Sequence, residues 1–253
     1  MTVVWRCGWG SGWTFGGHGI RILPYARAVN PKKPDLCRLT LVEPLRRLPG
    51  RNATKATVLF YRVDGIGVAV KSYAERPWMI RHALGRWLIS REAAAYRAAA
   101  GVAGLPAFYG RLGPFALATE WIAARPLAHC AGQEFDQGFF DRIATILDTL
   151  HARGIALADL HHRDVLVAED GSPYLIDLAM AWRLGERPGR WRKMLFARFR
   201  DADRVALARM SARFTGGDME AAVAAVGPTA AAWHRRGRRV KALFDRLRGK
   251  RRS

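Results

Sequence analysis

The chain acquires a periodic pattern only near residue 39. Residues 1–38 are rich in Gly, Trp and Pro and follow neither a two-residue nor a helical repeat, which predicts a poorly ordered N-terminal extension. Arg38 to Val42 and Thr57 to Val63 are then dense in β-branched and aromatic residues, the texture of strands. Asp64-Gly65-Ile66-Gly67 reads as a hairpin turn, and Val68-Ala69-Val70-Lys71 as the returning strand. These segments predict a β-meander of at least three strands.

From residue 78 the texture turns helical. Ser90 to Ala100 consists largely of strong helix formers, and Gly101 supplies a stop. Pro106 to Gly113 reads as a connector and Phe115 to Ile122 as an apolar strand. Phe139 to Arg153 predicts an amphipathic helix, with Phe139, Ile143, Ile146, Leu147 and Leu150 on one face and Gly154 ending it. Val165 to Ala168 and Tyr174 to Ile176 predict two short strands around the turn Glu169-Asp170-Gly171-Ser172. Helical patterns return at 194–214 and 233–248. The expectation is an α+β fold: a β-rich part carrying one helix, then a helical part containing a small hairpin.

Composition adds a class and a direction. Half of the 253 residues are hydrophobic, enough to fold around a core. No apolar run approaches the ~20 residues that span a bilayer, and the first residues lack the basic-then-apolar order of a secretory signal. Cys7, Cys37 and Cys130 are far apart, so neither a zinc pair nor a disulfide scaffold is expected, and a reducing cytoplasm is the default. The net charge of +21 is unevenly spread: residues 51–182 carry 14 Lys/Arg and 13 Asp/Glu, whereas 183–253 carry 20 and 6. An almost neutral body with a basic flank points to an anionic partner surface.

The candidate chemistry lies in residues 151–179. Asp159 leaves a helix on a loop, Asp164 begins a strand five residues later, and Asp177 ends that strand's hairpin partner after a further 13. A hairpin brings its two ends together, so Asp164 and Asp177 should face each other across a gap that a hard cation could fill. Phosphoryl transfer needs such oxygen ligands and a carboxylate near the acceptor hydroxyl.

Here the sequence resembles the protein-kinase-like superfamily, whose catalytic loop reads H-R-D-L-x-x-x-x-N, followed by a hairpin and D-F-G. The matching residues are Leu157-Ala158-Asp159-Leu160 and Asp164, then Asp177-Leu178-Ala179. Val68-Ala69-Val70-Lys71 resembles the V-A-I-K strand, Glu92 follows Lys71 by 21 residues, and Thr119-Glu120-Trp121-Ile122 resembles the hinge. The resemblance spans residues 39–182. It implies a bilobal fold, with ATP and Mg2+ as cofactors. Asp159 would be the catalytic base, and Asp164 and Asp177 the magnesium ligands. Lys71 and Glu92 would form the phosphate-positioning pair, and Glu120 and Ile122 would meet adenine through their backbones. The Gly-rich loop is reduced to Gly50 and Arg51-Asn52-Ala53-Thr54-Lys55, so Gly50, Thr54 and Lys55 become the expected phosphate cover. The implied organisation is an extension (1–38), an N-lobe with hinge (39–122), a C-lobe (123–232) and a basic tail (233–253).

Ala158 and Ala179 replace the family's Arg and Gly, and no A-P-E segment follows. The closer likeness is to compact bacterial kinases of lipopolysaccharide-core sugars. It implies a glycan or lipid-linked acceptor and a place on the inner face of the inner membrane. A compact RIO-like serine/threonine kinase with a protein acceptor, and a pseudokinase that binds without turnover, are the alternatives. His161 and His162 are adjacent and lack a third ligand, which disfavours zinc. The tail aligns Val240, Leu243, Phe244 and Leu247 on one face among basic residues, as a membrane-surface helix or a packed final helix would. Nucleic acid has no motif here to support it beyond charge.

Overall fold

A computed structural model of the chain describes residues 33–130 and 135–227. The fold is α+β. A five-stranded antiparallel sheet in the order β1-β2-β3-β5-β4 dominates the N-terminal part, built from β1 (Arg46–Leu48), β2 (Thr57–Val63), β3 (Ile66–Ser72), β4 (Phe108–Arg111) and β5 (Ala116–Glu120). The β2–β3 hairpin closes on Asp64 and Gly65, both at positive φ. Such a primed turn matches the twist of the paired strands and favours Gly at its second central position.

Helix α1 (Arg86–Ala98) follows a π-helical segment, Ile80–Gly85, and lies against β4 and β5. It buries Ile89 and Ala93 beside Leu117, and Tyr96 and Ala99 within the next cluster. That larger cluster is centred on α2 (Gln137–Ala152), which sinks Phe140, Ile143, Leu147 and Leu150 almost completely. Each such side chain contributes about 1.5–3 kcal/mol on burial. Asp136 caps α2 by accepting from the Phe139 N–H at 2.9 Å, and Gly154, at φ +70°, turns the chain out of it.

Around α2 stand a three-stranded sheet and a two-stranded pair. The first is ordered β6-β8-β9, from β6 (Ala124–Pro126), β8 (Val165–Ala168) and β9 (Pro173–Leu175). The second joins β7 (Ile155–Ala156) to β10 (Trp182–Arg183). The long α3 (Arg190–Thr215) packs on α2 and β7, and α4 (Met219–Val226) folds back on α3.

Several expectations need correcting. Leu36–Leu41 is a 3-10 helix, with only Leu39 buried, where a strand was expected at 38–42. The Asp35 carboxylate accepts from the Cys37 N–H at 3.0 Å, and this local cap outcompetes strand pairing. The expected connector at 106–113 contains β4, an edge strand hidden from pattern reading by a bulge between Phe108 and Gly110. The short β6, β7 and β10, and α4, carry too few residues for a period. The expectations for residues 1–32 and for the tail helix fall outside the described residues.

Candidate active site

The hairpin β8–β9 sets the two carboxylates. Val165 pairs with Leu175, and the Ile176 N–H donates to the Asp164 carbonyl at 2.9 Å, so Asp164 and Asp177 occupy the open end. Lys71 reaches this end from β3, 106 residues away in sequence, and its Nζ lies 2.7 Å from Asp177 Oδ1. The same ammonium lies 2.8 Å from Glu92 Oε2 on α1. Three elements thus converge on one cation.

Burial alone would lower the Lys71 pKa, but Glu92 and Asp177 override it and hold the ammonium well above its ordinary value. Burial raises the Asp177 carboxyl, but Lys71 outweighs that and leaves it below the usual range. Glu92 is only 3% exposed at its side chain and would be costly to bury without this partner. Asp164 goes the other way. Burial, then the charges of Asp177 and Asp159, push it up to about 7. A half-buried carboxyl near two others keeps its proton more readily, and a bound cation would return it to the ionised form.

Asp177 sits at φ +66°, in the left-handed region that a non-glycine residue seldom adopts. Its Oδ1 accepts from the Ala179 N–H at 3.3 Å, and Arg91 of α1 ties down the following segment by donating to the carbonyls of Met180 and Ala181. Ala158 sits at φ +65°. Its N–H donates to Asp203 Oδ1 at 2.8 Å, and the Leu157 N–H donates to Asp203 Oδ2 at 2.8 Å. Asp203 lies on α3, is 1% exposed, and also meets His151 Nε2 at 3.0 Å. One buried carboxylate therefore fixes the backbone immediately before Asp159. Asp159 itself is open to solvent, with His161 Nε2 3.6 Å from its Oδ1.

Sequence reasoning missed Asp203. The signal was present: Phe196, Phe199, Asp203, Ala206 and Met210 follow helical spacing, so the aspartate occupies a position that should be apolar. It also missed Arg91.

The remaining expected residues are spread along the sheet. Gly50 and Thr54 bracket the β1–β2 turn, where the Thr54 N–H and hydroxyl donate to Asn52 Oδ1 at 3.1 and 2.8 Å. A Cβ at Gly50 would collide with the Lys55 and Ala56 carbonyls, so the turn needs glycine there. Lys55 is exposed and close enough for its charge to lower Asp177. At the end of β5 the Glu120 N–H donates to the Ala107 carbonyl at 2.8 Å, and its Oε2 accepts from the Ala107 N–H at 3.2 Å. The Ile122 N–H has no partner among the described residues.

Asp164 and Asp177 together offer hard oxygen ligands of the kind Mg2+ prefers, and magnesium commonly takes its other ligands from phosphates and water. No cluster of three or more His, Cys, Asp or Glu arranged for a metal occurs among the described residues. A depression of about 380 Å³ lies elsewhere, between α2, α3 and α4, and contains none of these residues. No described helix is long and apolar enough to cross a membrane. The chain matches no protein-family model and no curated protein.

Proposed function

We propose that the chain is an ATP-dependent phosphotransferase with a bilobal protein-kinase-like fold. The observation that carries this reading is the Lys71 ammonium held between Glu92 and Asp177, at 2.8 and 2.7 Å, near a further, half-buried carboxyl at Asp164. A structural ion pair has no need of two further carboxylates beside it. A site for a polyphosphate with its cation does.

In this reading the β1–β2 turn, with Gly50, Thr54 and Lys55, covers the phosphates. The Ile122 N–H, beside Glu120, is available to the base. Asp164 and Asp177 would hold Mg2+, which neutralises charge on the phosphates when bound. Lys71, oriented by Glu92, contacts the phosphates. The Asp159 carboxylate takes the proton of the acceptor hydroxyl as that oxygen bonds to the γ-phosphorus. The bond from phosphorus to the bridging β,γ-oxygen breaks, and ADP leaves with the electron pair. Asp203 holds the loop that aims Asp159 and touches no reactant.

The acceptor we favour is a hydroxyl of a lipopolysaccharide-core or other membrane-linked glycan, met at the inner face of the inner membrane. Only Leu178 to Gly189 separate Asp177 from α3, and β10 occupies part of that stretch. This leaves no long loop on which to lay out a peptide. Basic residues in the last third suit an anionic membrane better than nucleic acid.

The test is transfer of label from radiolabelled ATP in the presence of core oligosaccharide, membrane extract or protein. Wild type should label the glycan fraction, and Asp177→Ala should not. Label confined to protein would favour a RIO-like protein kinase. Mg-ATP binding without transfer to any acceptor would identify a pseudokinase. Absence of Mg-ATP binding would overturn the site assignment.

A further inference from the structure

The first half of α3 departs from the pattern of a helix that merely flanks a core. Its inner side is closed: the Trp182 and Phe199 rings lie 5.3 Å apart, and Arg192 donates to the Leu184 and Arg183 carbonyls at 3.2 and 3.0 Å. Its outer side exposes large apolar groups. Trp191 is 63% exposed and Met194 54%, three residues apart and therefore neighbours on one helical face. The surrounding stretch, residues 183–200, carries 7 Lys/Arg and 1 Glu. Arg187, Arg190 and Lys193 are exposed and have no acidic partner among the described residues.

Exposed Trp and Met cost free energy in water, and unpaired cations repel one another. An anionic bilayer surface relieves both at once. It admits apolar side chains to the depth of the headgroups and attracts the cations around them. A nucleic acid would satisfy the charge but leave Met194 in water. We infer that this face, formed by Arg187 and the first turns of α3 from Arg190 to Met194, docks on an anionic lipid surface.

The position of the patch gives the docking a use, and in that respect alone the inference rests on the function proposed above. Arg192 fastens the start of α3 to the segment containing β10. In turn, β10 pairs with β7, which ends three residues before Asp159. A membrane held against α3 therefore has a fixed relation to the loop that carries the base.

The experiment is co-sedimentation of the full chain with phosphatidylcholine vesicles, neutral or containing about one-third phosphatidylglycerol. Wild type should sediment with the anionic vesicles only, and added salt should release it. The pair Arg190→Glu and Lys193→Glu should weaken partitioning by about fivefold per cation or more. The pair Trp191→Ser and Met194→Ser should weaken it by about tenfold, with the salt dependence kept. None of these residues belongs to the nucleotide site, so Mg-ATP binding, measured in parallel, should match wild type. That parallel measurement separates failure of docking from failure of the nucleotide reading. Unchanged sedimentation in both pairs would overturn the inference and place any lipid binding elsewhere in the chain. Loss in the charge pair alone, with equal loss of binding to a polynucleotide, would overturn it in favour of a surface that reads phosphate charge only. Loss of self-association in the apolar pair, without a change in sedimentation, would overturn it in favour of a second copy of the chain.

Discussion

Replacing Asp203 by Ala removes one carboxylate and strands three groups at once. The Leu157 and Ala158 N–H donors, each 2.8 Å away, and His151 Nε2, 3.0 Å away, lose their acceptor in a site that is 1% exposed. Each buried donor left unmatched costs about 1–3 kcal/mol. Because Ala158 is only partly buried and water can reach it, the sum belongs near 3–6 kcal/mol. A domain stable by about 5–15 kcal/mol can survive that loss, but visibly weakened. With a urea dependence of about 2–3 kcal/mol per molar, the unfolding midpoint should fall by roughly 1–3 M.

The same substitution should affect turnover through Ala158. A non-glycine residue at φ +65° is held against a strain of about 1–2 kcal/mol. Without Asp203 the strained turn relaxes, and Asp159 moves with it. Misplacing a base by about an ångström costs on the order of a hundredfold in rate. Mg-ATP affinity should change little, because Lys71, Asp164 and Asp177 are held by other contacts. Asp203→Asn keeps the shape and one acceptor oxygen, so both its midpoint and its rate should fall between those of wild type and Asp203→Ala. A urea midpoint within about 0.3 M of wild type for Asp203→Ala would refute the energetic reasoning. A loss of turnover matched by an equal loss of nucleotide affinity would refute the positioning role.

Other substitutions probe the convergent charges. Lys71→Ala leaves Glu92 buried without its cation and should cost about 3–5 kcal/mol in urea unfolding. Adding Glu92→Gln should recover much of that loss, and a failure to recover would show that the pair is not coupled. Asp164 has a folded-state pKa raised from 3.8 to about 7, so the folded state binds the extra proton between those values. Apo stability should therefore fall as pH rises from 4 to 7, by on the order of 2–4 kcal/mol, and Asp164→Asn should flatten that fall. Mg2+ with ATP should raise the melting temperature more at pH 7.5 than at pH 5, because the ion binds the ionised carboxyl; an equal rise at both would exclude Asp164 as a ligand. Asp159→Asn should lower transfer by about 10²–10⁴-fold, measured with saturating ATP, and leave Mg-ATP affinity unchanged.

The parts legible in the sequence are those whose information is local. The β2–β3 hairpin was readable because Asp64 and Gly65 impose the turn and the flanking residues fit a pleated surface. Helix α2 was readable because its apolar face repeats over four turns. The segment at Leu36–Leu41 was misread because a single side-chain cap at Asp35 outweighed strand propensity. Strand β4 was missed because Gly110 breaks the alternation that marks a strand. The aspartate set was visible as spacing, but its meaning depended on a lysine 106 residues from Asp177, and only the folded chain brings the two together.

Local rules also give way at the candidate site. Among the described residues, two of the three non-glycine residues at positive φ are Ala158 and Asp177, one immediately before the proposed base and the other a proposed metal ligand. Alanine has no polar side chain to favour that conformation, whereas aspartate tolerates it and here closes a local turn onto the Ala179 N–H. Ala158 is held from outside by Asp203 of α3, whereas Asp177 is held both by Lys71 of β3 and locally by the Ala179 N–H. The strain at Ala158, held by the buried Asp203, costs stability that ordinary packing would keep. Glycine at 158 would remove the strain, so a purely structural loop has no reason to keep alanine there in that conformation. On the proposed function, that strain serves to place Asp159. It also yields a contrast: Ala158→Gly should leave the urea midpoint close to wild type while the freed turn lowers turnover. A variant equal to wild type in both would show that the strained turn contributes nothing to placing Asp159.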